Sequence, residues 1–130
     1  MTDWPWPNFT PEEMASKDGT PFPLTPESID FMNKLQTMRT ALNFALSCNS
    51  CFRSPYDNQR VDGAEDSPHL LAIAGDLAVY GEKAFKLVAA APGFGFTGIG
   101  VKQDGPTPYE KRFIHLDTKT GSLRPRVWSY

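Results

Sequence analysis

The sequence has 130 residues, of which 40% are hydrophobic and 22% are charged, and its formal net charge is −2. This size and composition predict one globular domain over residues 1–130, which we expect to be a monomer. The lack of a basic run argues against a nucleic-acid partner, and no apolar run approaches the ~20 residues that span a bilayer, so we expect no membrane insertion. The first residues also lack the basic and apolar regions of a secretory signal peptide, so we expect the chain to be made and left in a cytoplasm.

The predicted elements begin with an irregular arm. Residues 1–24 hold five of the twelve prolines, which favours an extended segment packed on the domain, with one helical turn after the capping residue Thr10. The clearest helix follows, because Thr25 can cap it, Pro26 suits its first position, and apolar residues recur at spacings of three and four. We expect this stripe to lie in the core, and its members are Ile29, Met32, Leu35, Met38, Leu42 and Ala45.

A short strand is predicted for ALSCNSCF, which carries both cysteines of the chain. Cys48 and Cys51 form a C-x-x-C pattern, which raises a redox or a zinc interpretation. Residues three apart on a strand point to opposite faces, and no second cysteine pair is present to complete a structural zinc site. We therefore expect two free thiols, and a redox protein also lacks the expected βαβ context.

The rest of the chain alternates loops, strands and one helix. Residues 53–68 are polar and rich in turn formers, residues 69–80 (HLLAIAGDLAVY) predict a strand, and residues 81–93 predict a second helix that ends at Pro92 and Gly93. The stretch GFGFTGIGV predicts a glycine-rich strand, KRFIHLDT predicts a final strand, and SLRPRVWSY closes the chain. The predicted class is α+β, with two main helices against a small, mainly antiparallel sheet.

Both histidines of the chain lie on or beside predicted strands. Period two places Asp76 on a strand face where its neighbours are alanines, with His69 at the beginning of the same segment. On the last strand, His115 and Asp117 share one face. Two histidines and one carboxylate can hold zinc with an open fourth position, as catalytic zinc requires, while two unrelated histidines are the alternative.

Three segments of the chain resemble one family. SPHLLAIAGD resembles the S-x-H-x-x-G-x-A-x-D motif of the zinc D-alanyl-D-alanine carboxypeptidase and endopeptidase family, which cleaves peptidoglycan stem peptides and has hedgehog-like relatives. The motif positions are matched by Ser67, His69, Ala74 and Asp76. Residues 49–69 resemble the family's S-G-Y-R segment and the loop after it, and residues 98–128 are similar to its closing strand with the pattern F-[IV]-H-[VL]-D. The resemblance covers most of residues 8–128.

The resemblance implies a role for each matched residue. His69, Asp76 and His115 would ligate Zn2+ in a cleft on the sheet. Arg53 would bind a substrate carboxylate or polarise the scissile carbonyl, which suits a guanidinium group, while a surface salt bridge is the alternative. Ser67 would orient the loop of His69 through a hydrogen bond.

Two departures from the family pattern bear on the chemistry. Ala72 stands at the motif glycine, a change that we expect to be tolerated if the backbone is extended there. Arg112 stands where several branches carry a catalytic glutamate, three residues before the last histidine. Glu110 would face away from His115 on a regular strand, whereas Asp117 faces the same way. We expect Asp117 to be the general base, and the alternative is that it orients a metal ligand.

The resemblance implies a zinc peptidase that hydrolyses a D-amino-acid-containing bond of peptidoglycan stem peptides. The family includes D-Ala-D-Ala carboxypeptidases and endopeptidases that cleave the L-Ala–D-Glu bond, and the sequence does not distinguish between these two bonds. Since a signal peptide is not recognised, we expect a phage or prophage lysis enzyme that reaches the cell wall after release. The alternative is a non-catalytic, metal-containing binding or phage structural module on the same fold, because a fold does not fix a function.

Overall fold

The computed structural model describes residues 3–105 and 111–130. In that part of the chain the helices are α1 (Pro11–Met14), α2 (Pro26–Leu42), α3 (Pro55–Arg60) and α4 (Gly81–Ala90). The strands are β1 (Cys48–Ser50), β2 (Ala74–Leu77), β3 (Gly98–Lys102), β4 (Phe113–Asp117) and β5 (Arg126–Ser129). Two 3-10 turns, Pro68–Leu71 and Ala91–Phe94, precede β2 and follow α4. None of the helices in these ranges is long and apolar enough to cross a membrane.

The five strands form one sheet in the order β1-β2-β4-β3-β5. Three of the four pairings are antiparallel, and β5 pairs with β3 in parallel. The expected α+β class with a small, mainly antiparallel sheet is therefore confirmed. The closing segment, for which no element was predicted, supplies the edge strand β5.

Helix α2 begins where its capping signals predict and ends earlier than the apolar stripe predicted. The Thr25 hydroxyl accepts a hydrogen bond from the backbone N–H of Ser28, and the Ser28 hydroxyl accepts one from the N–H of Thr25. The helix ends where Asn43 adopts the left-handed conformation with φ 58°, so Ala45 lies beyond it. Ile29 is 38% exposed, because it lies about 120° around the helix from the middle of the buried stripe. The stripe consists of Phe31, Met32, Leu35 and Met38.

The two faces of the sheet have different roles. One face packs in the core through Leu77, Ile99, Ile114 and Leu116. On the other face, the strand register aligns two rows of residues across the sheet. The first row is Ser50, Asp76, His115, Gly100 and Trp128. The second row is Ala74, Asp117, Gly98 and Arg126.

The segment of residues 69–80 differs from the predicted continuous strand. His69 lies in the 3-10 turn Pro68–Leu71, and Ala72 follows with φ 58° in the left-handed region. Ala72 is fully buried, so the extended backbone that was expected at the motif glycine is not present. An alanine in this conformation costs about 1 kcal/mol that a glycine avoids.

A helix lies where a polar loop was predicted. Ser54 caps α3 by accepting a hydrogen bond from the backbone N–H of Asp57 at 3.1 Å, and Pro55 occupies the first helical position. This is the same cap-and-proline signal that predicts α1 and α2. The signal was present in the sequence, and the turn-forming residues around it obscured it.

The cysteines also differ from the expectation. Cys48 and Cys51 are joined in a disulfide, with their Cα atoms 6.3 Å apart, so the prediction of two free thiols is wrong. The reason is that β1 ends at Ser50. The alternation of strand faces therefore does not extend to Cys51.

Candidate functional site

Three side chains converge on one face of the sheet. His69 comes from the 3-10 turn, Asp76 from β2 and His115 from β4, where Asp76 and His115 are direct cross-strand partners. The Asp76 Oδ1 atom lies 3.3 Å from His69 Nε2 and 2.9 Å from His115 Nδ1. One ligand atom from each residue lies within 4.8 Å of the other two, and in the described part of the chain this is the one such group of histidine, cysteine and acidic side chains.

In each imidazole ring, the nitrogen that points away from Asp76 forms a hydrogen bond with a different acceptor. His69 Nδ1 lies 2.6 Å from the carbonyl oxygen of Cys51, and His115 Nε2 lies 2.8 Å from Asp117 Oδ2. These contacts leave His69 Nε2 and His115 Nδ1 turned toward Asp76. Metal-binding histidines have this arrangement, because the outer hydrogen bond fixes the ring and the tautomer. Two imidazole nitrogens and a carboxylate oxygen form a donor set that suits zinc, so the residues fit the metal.

The charges of the site also suit a divalent cation. Burial opposes ionisation of Asp76, but hydrogen bonds from His115 and His69 hold the pKa of its carboxyl well below the ordinary value. Burial likewise opposes ionisation of Asp117, and hydrogen bonds from His115 and Arg124 lower the pKa of that carboxyl. Both groups are therefore anionic at neutral pH. Burial disfavours the charged form of His115, yet Asp117 and Asp76 raise the pKa of its ring.

Asp117 lies beside His115 on the side away from Asp76 and has no solvent exposure. Its Oδ2 atom accepts hydrogen bonds from His115 Nε2 at 2.8 Å and from Arg124 Nη2 at 3.0 Å. Its Oδ1 atom accepts from the backbone N–H of Lys119 at 3.1 Å and from Arg124 Nε at 3.3 Å. Of the two roles that the sequence left open for Asp117, these contacts favour the orientation of a ligand.

Two glycines of β3 provide the space that these side chains need. A Cβ atom on Gly98 would overlap the carboxylate of Asp117, and one on Gly100 would lie 2.7 Å from the indole nitrogen of Trp128. The indole can therefore lie across the sheet, with its ring centre 5.2 Å from that of His115. The alternation G-I-G in the sequence is the signal for this space.

Arg53 follows β1 and lies next to the turn that carries His69. Its backbone N–H donates to the His69 carbonyl at 3.0 Å, and its Nη2 donates to the Ser67 hydroxyl at 3.2 Å. Ser67 also accepts a hydrogen bond from the backbone N–H of His69 at 3.2 Å, which is the contact that was expected of it. The Arg53 Nε atom is buried and has no hydrogen-bond partner. Burial lowers the pKa of this guanidinium, and the charge of Asp76 acts in the opposite direction.

The three converging residues line a cleft with a volume of about 660 Å3. Arg53 and the segment 66–68 line one part of it, residues 119–124 line another, and alternate residues of the segment 126–130 line a third. The alternate residues are Arg126, Trp128 and Tyr130. Sequence reasoning assigned them no role, although the period of two in RVWSY could have placed them on one face.

Arg112 and Glu110 precede His115 in the sequence. Arg112 donates a hydrogen bond from Nη2 to the carbonyl of Gly105 and, as a guanidinium, it accepts no proton. Glu110 lies outside the described residues. Asp66 and Asp76 are the carboxylates that line the described part of the cleft.

An α+β fold with a His/Asp/His donor set in an open cleft is the arrangement typical of zinc-dependent hydrolases. The model of the family described as Peptidase M15 matches residues 7–117. The chain belongs to the peptidase M15 family, whose members are zinc-dependent peptidases, and this membership indicates action on peptidoglycan-type substrates. The sequence matches none of the curated proteins with which it was compared.

Proposed function

We propose that this protein hydrolyses a D-amino-acid-containing peptide bond of peptidoglycan stem peptides, with zinc held by His69, Asp76 and His115. The observation that carries the proposal is the convergence of one ligand atom each from His69, Asp76 and His115 within 4.8 Å in a cleft. When bound there, zinc supplies a water nucleophile at neutral pH and polarises the scissile carbonyl.

The chain's own residues hold this centre in place. The Cys51 carbonyl fixes the His69 ring, and Asp117 fixes the His115 ring. In the proposed mechanism Asp117 is a positioning residue, because its oxygens already accept four hydrogen bonds and it does not reach the solvent of the cleft. Its charge also makes His115 a more basic ligand.

Arg53 is the proposed substrate-binding cation of the reaction. Its guanidinium lines the cleft near Asp76, and one of its terminal nitrogens, Nη2, donates to Ser67. A carboxylate or a carbonyl oxygen of the substrate would accept charge-assisted hydrogen bonds from the remaining Nη donors. A terminal carboxylate suits a D-Ala-D-Ala carboxypeptidase, and an internal carbonyl suits an endopeptidase.

A second candidate function is a non-catalytic, metal-containing binding module on the same fold. It is favoured by two observations: Asp117 is fully buried, and Arg112 stands at the position of the glutamate that other branches use. In this case the cleft would bind a stem peptide without hydrolysing it.

Digestion of purified peptidoglycan, followed by mass spectrometry of the products, tests the proposal. We expect new peptide termini with the zinc-loaded protein, none after chelation, and recovery on addition of zinc. His69→Ala should lose both the metal and the products, while Asp30→Asn, a change at an exposed residue of α2, should keep both. Equal zinc content in the wild type and in His69→Ala would reject the metal site. Zinc binding without products would favour the binding module.

A further inference from the structure

Four cationic side chains line the cleft, and three of them are engaged. Arg124 is paired with Asp117, Lys119 reaches the carbonyl and carboxylate of Asp66 at 3.2 and 3.5 Å, and Arg53 donates to a hydroxyl. The fourth cation is Arg126. Its side chain makes no hydrogen bond or ion pair with any residue that the structure describes.

The contact that Arg126 does make leaves its donors available. Its guanidinium carbon lies 4.9 Å from the ring centre of Trp128, which is a stacking distance for a cation on an indole. Stacking holds the plane of a guanidinium through its face and leaves the N–H groups at its edge free for a carboxylate. Arg126 is therefore positioned by an aromatic ring, and no acid within residues 3–105 and 111–130 forms an ion pair with it.

Trp128 also fixes the distance between Arg126 and the metal ligands. The centre of the indole lies 4.9 Å from the guanidinium carbon of Arg126 and 5.2 Å from the ring centre of His115, so the two groups are at most about 10 Å apart. A group bound to Arg126 would then lie within about three residues of extended peptide from the metal centre. A side group near the scissile bond, on the same substrate chain, falls within this span.

The charge of the cleft favours an anionic substrate. The four cations are balanced by three carboxylates, those of Asp66 and Asp76 in the cleft and that of Asp117 beneath Arg124, and a bound zinc ion would add two positive charges. Such an excess attracts anions and disfavours neutral analogues. Peptidoglycan stem peptides offer a fitting group, because their γ-linked D-glutamyl residue carries an α-carboxylate, which in some cell walls is replaced by an amide.

We propose that Arg126 is a specificity-determining residue that binds the α-carboxylate of the isoglutamyl residue and selects the acid over the amidated form of the stem peptide. The inference rests on the proposed function for its substrate. It adds a second substrate contact to the one assigned to Arg53. Arg124 does not serve this role, because its guanidinium is bound to both oxygens of Asp117.

The test uses two synthetic stem pentapeptides that are identical except for isoglutamate or isoglutamine at the second position. Lysine at the third position leaves isoglutamate as the one internal carboxylate. Initial rates on the zinc-loaded protein give KM and kcat for each peptide, and calorimetry gives Kd for any peptide that is not hydrolysed. We expect the acid peptide to have a KM or Kd about 10-fold lower than the amide, as a charge-assisted hydrogen bond implies, with similar kcat.

Three variants distinguish a specific contact with Arg126 from a diffuse electrostatic effect of the cleft. In Arg126→Gln, the KM or Kd values of the acid and amide peptides should differ by no more than about twofold. Arg126→Lys should restore part of the preference for the acid peptide. Lys119→Gln removes a cation of the same cleft and should keep the preference. Zinc content and circular dichroism confirm that each variant is folded, as expected for changes at residues that are exposed or half-buried.

The outcomes distinguish this inference from the proposed function. Hydrolysis of both peptides with equal KM would overturn the role of Arg126 and leave the peptidase proposal in place. Equal loss of preference in Arg126→Gln and Lys119→Gln would overturn it as well, in favour of a diffuse electrostatic effect. Tighter binding of the acid peptide without hydrolysis would support Arg126 and reject the peptidase. Failure of both peptides to bind would overturn both.

Discussion

Replacement of Asp117 by asparagine separates the two roles that this carboxylate can have. The side chain accepts four hydrogen bonds, two at each oxygen, and all four donors are N–H groups. Either orientation of an asparagine amide places its NH2 group opposite two of these donors and removes the charge that faces Arg124. We therefore expect the free energy of unfolding to fall by about 3 kcal/mol.

The effect on the metal follows from the contact with His115. Since asparagine holds the ring less firmly and makes it less basic, we expect Asp117→Asn to weaken zinc binding about 10- to 100-fold. At saturating zinc, hydrolysis should return to within about tenfold of the wild-type rate. A general base would behave differently: the variant would keep its zinc affinity and lose about 10²- to 10⁴-fold in turnover.

The assay combines zinc titration against a competing chelator with hydrolysis of a stem peptide over a range of zinc concentrations. Asp30→Asn is the matched control, because it makes the same chemical change at an exposed carboxylate on α2. Glu110→Gln tests the other carboxylate near His115 in sequence. Unchanged zinc affinity in Asp117→Asn, together with a loss of turnover that zinc does not restore, would refute the positioning role.

Three further predictions concern the surroundings of the centre. Arg53→Lys should keep its zinc and lose about 10- to 100-fold in kcat/KM, since an ammonium does not reproduce a guanidinium fork; a loss of zinc would instead indicate a structural role. Gly98→Ala should lower the free energy of unfolding by about 1–3 kcal/mol and weaken zinc binding, because the added methyl overlaps the carboxylate of Asp117; a wild-type Tm and zinc affinity would contradict this. The Cys48→Ser, Cys51→Ser double variant should lose about 2 kcal/mol of stability yet keep zinc and hydrolysis, and metal loss would show that the disulfide supports the centre.

The helices illustrate what local signals predict. Thr25 and Pro26 define the start of α2, because a cap and a proline act through the backbone of one turn and require no distant partner. The same signal at Ser54 and Pro55 was present and was outweighed by turn-forming neighbours. The left-handed Ala72 shows the limit, since nothing in an apolar stretch reveals a backbone conformation that tertiary packing imposes.

The site was predictable where it depended on strand alternation and on the family motif. Asp76 and His115 lie in the short regular strands β2 and β4, so period two gives the correct face for each of them. The environment of Asp117 was not predictable, because it is made by Arg124 from a later loop and by the space over Gly98. Strand β5 was missed because its parallel pairing with β3 is a long-range contact.

The two rows of residues across the sheet have a consequence for how the protein folds. The first row takes one residue from each of the five strands, and a slip of one residue in β4 would turn both His115 and Asp117 toward the core. The ligands therefore meet only after the register of the central strands is set, and pairings of such long sequence separation form late in folding. A metal that binds only after these strands have paired stabilises the native state but does not accelerate folding. Zinc should accordingly slow the unfolding rate while leaving the refolding rate nearly unchanged.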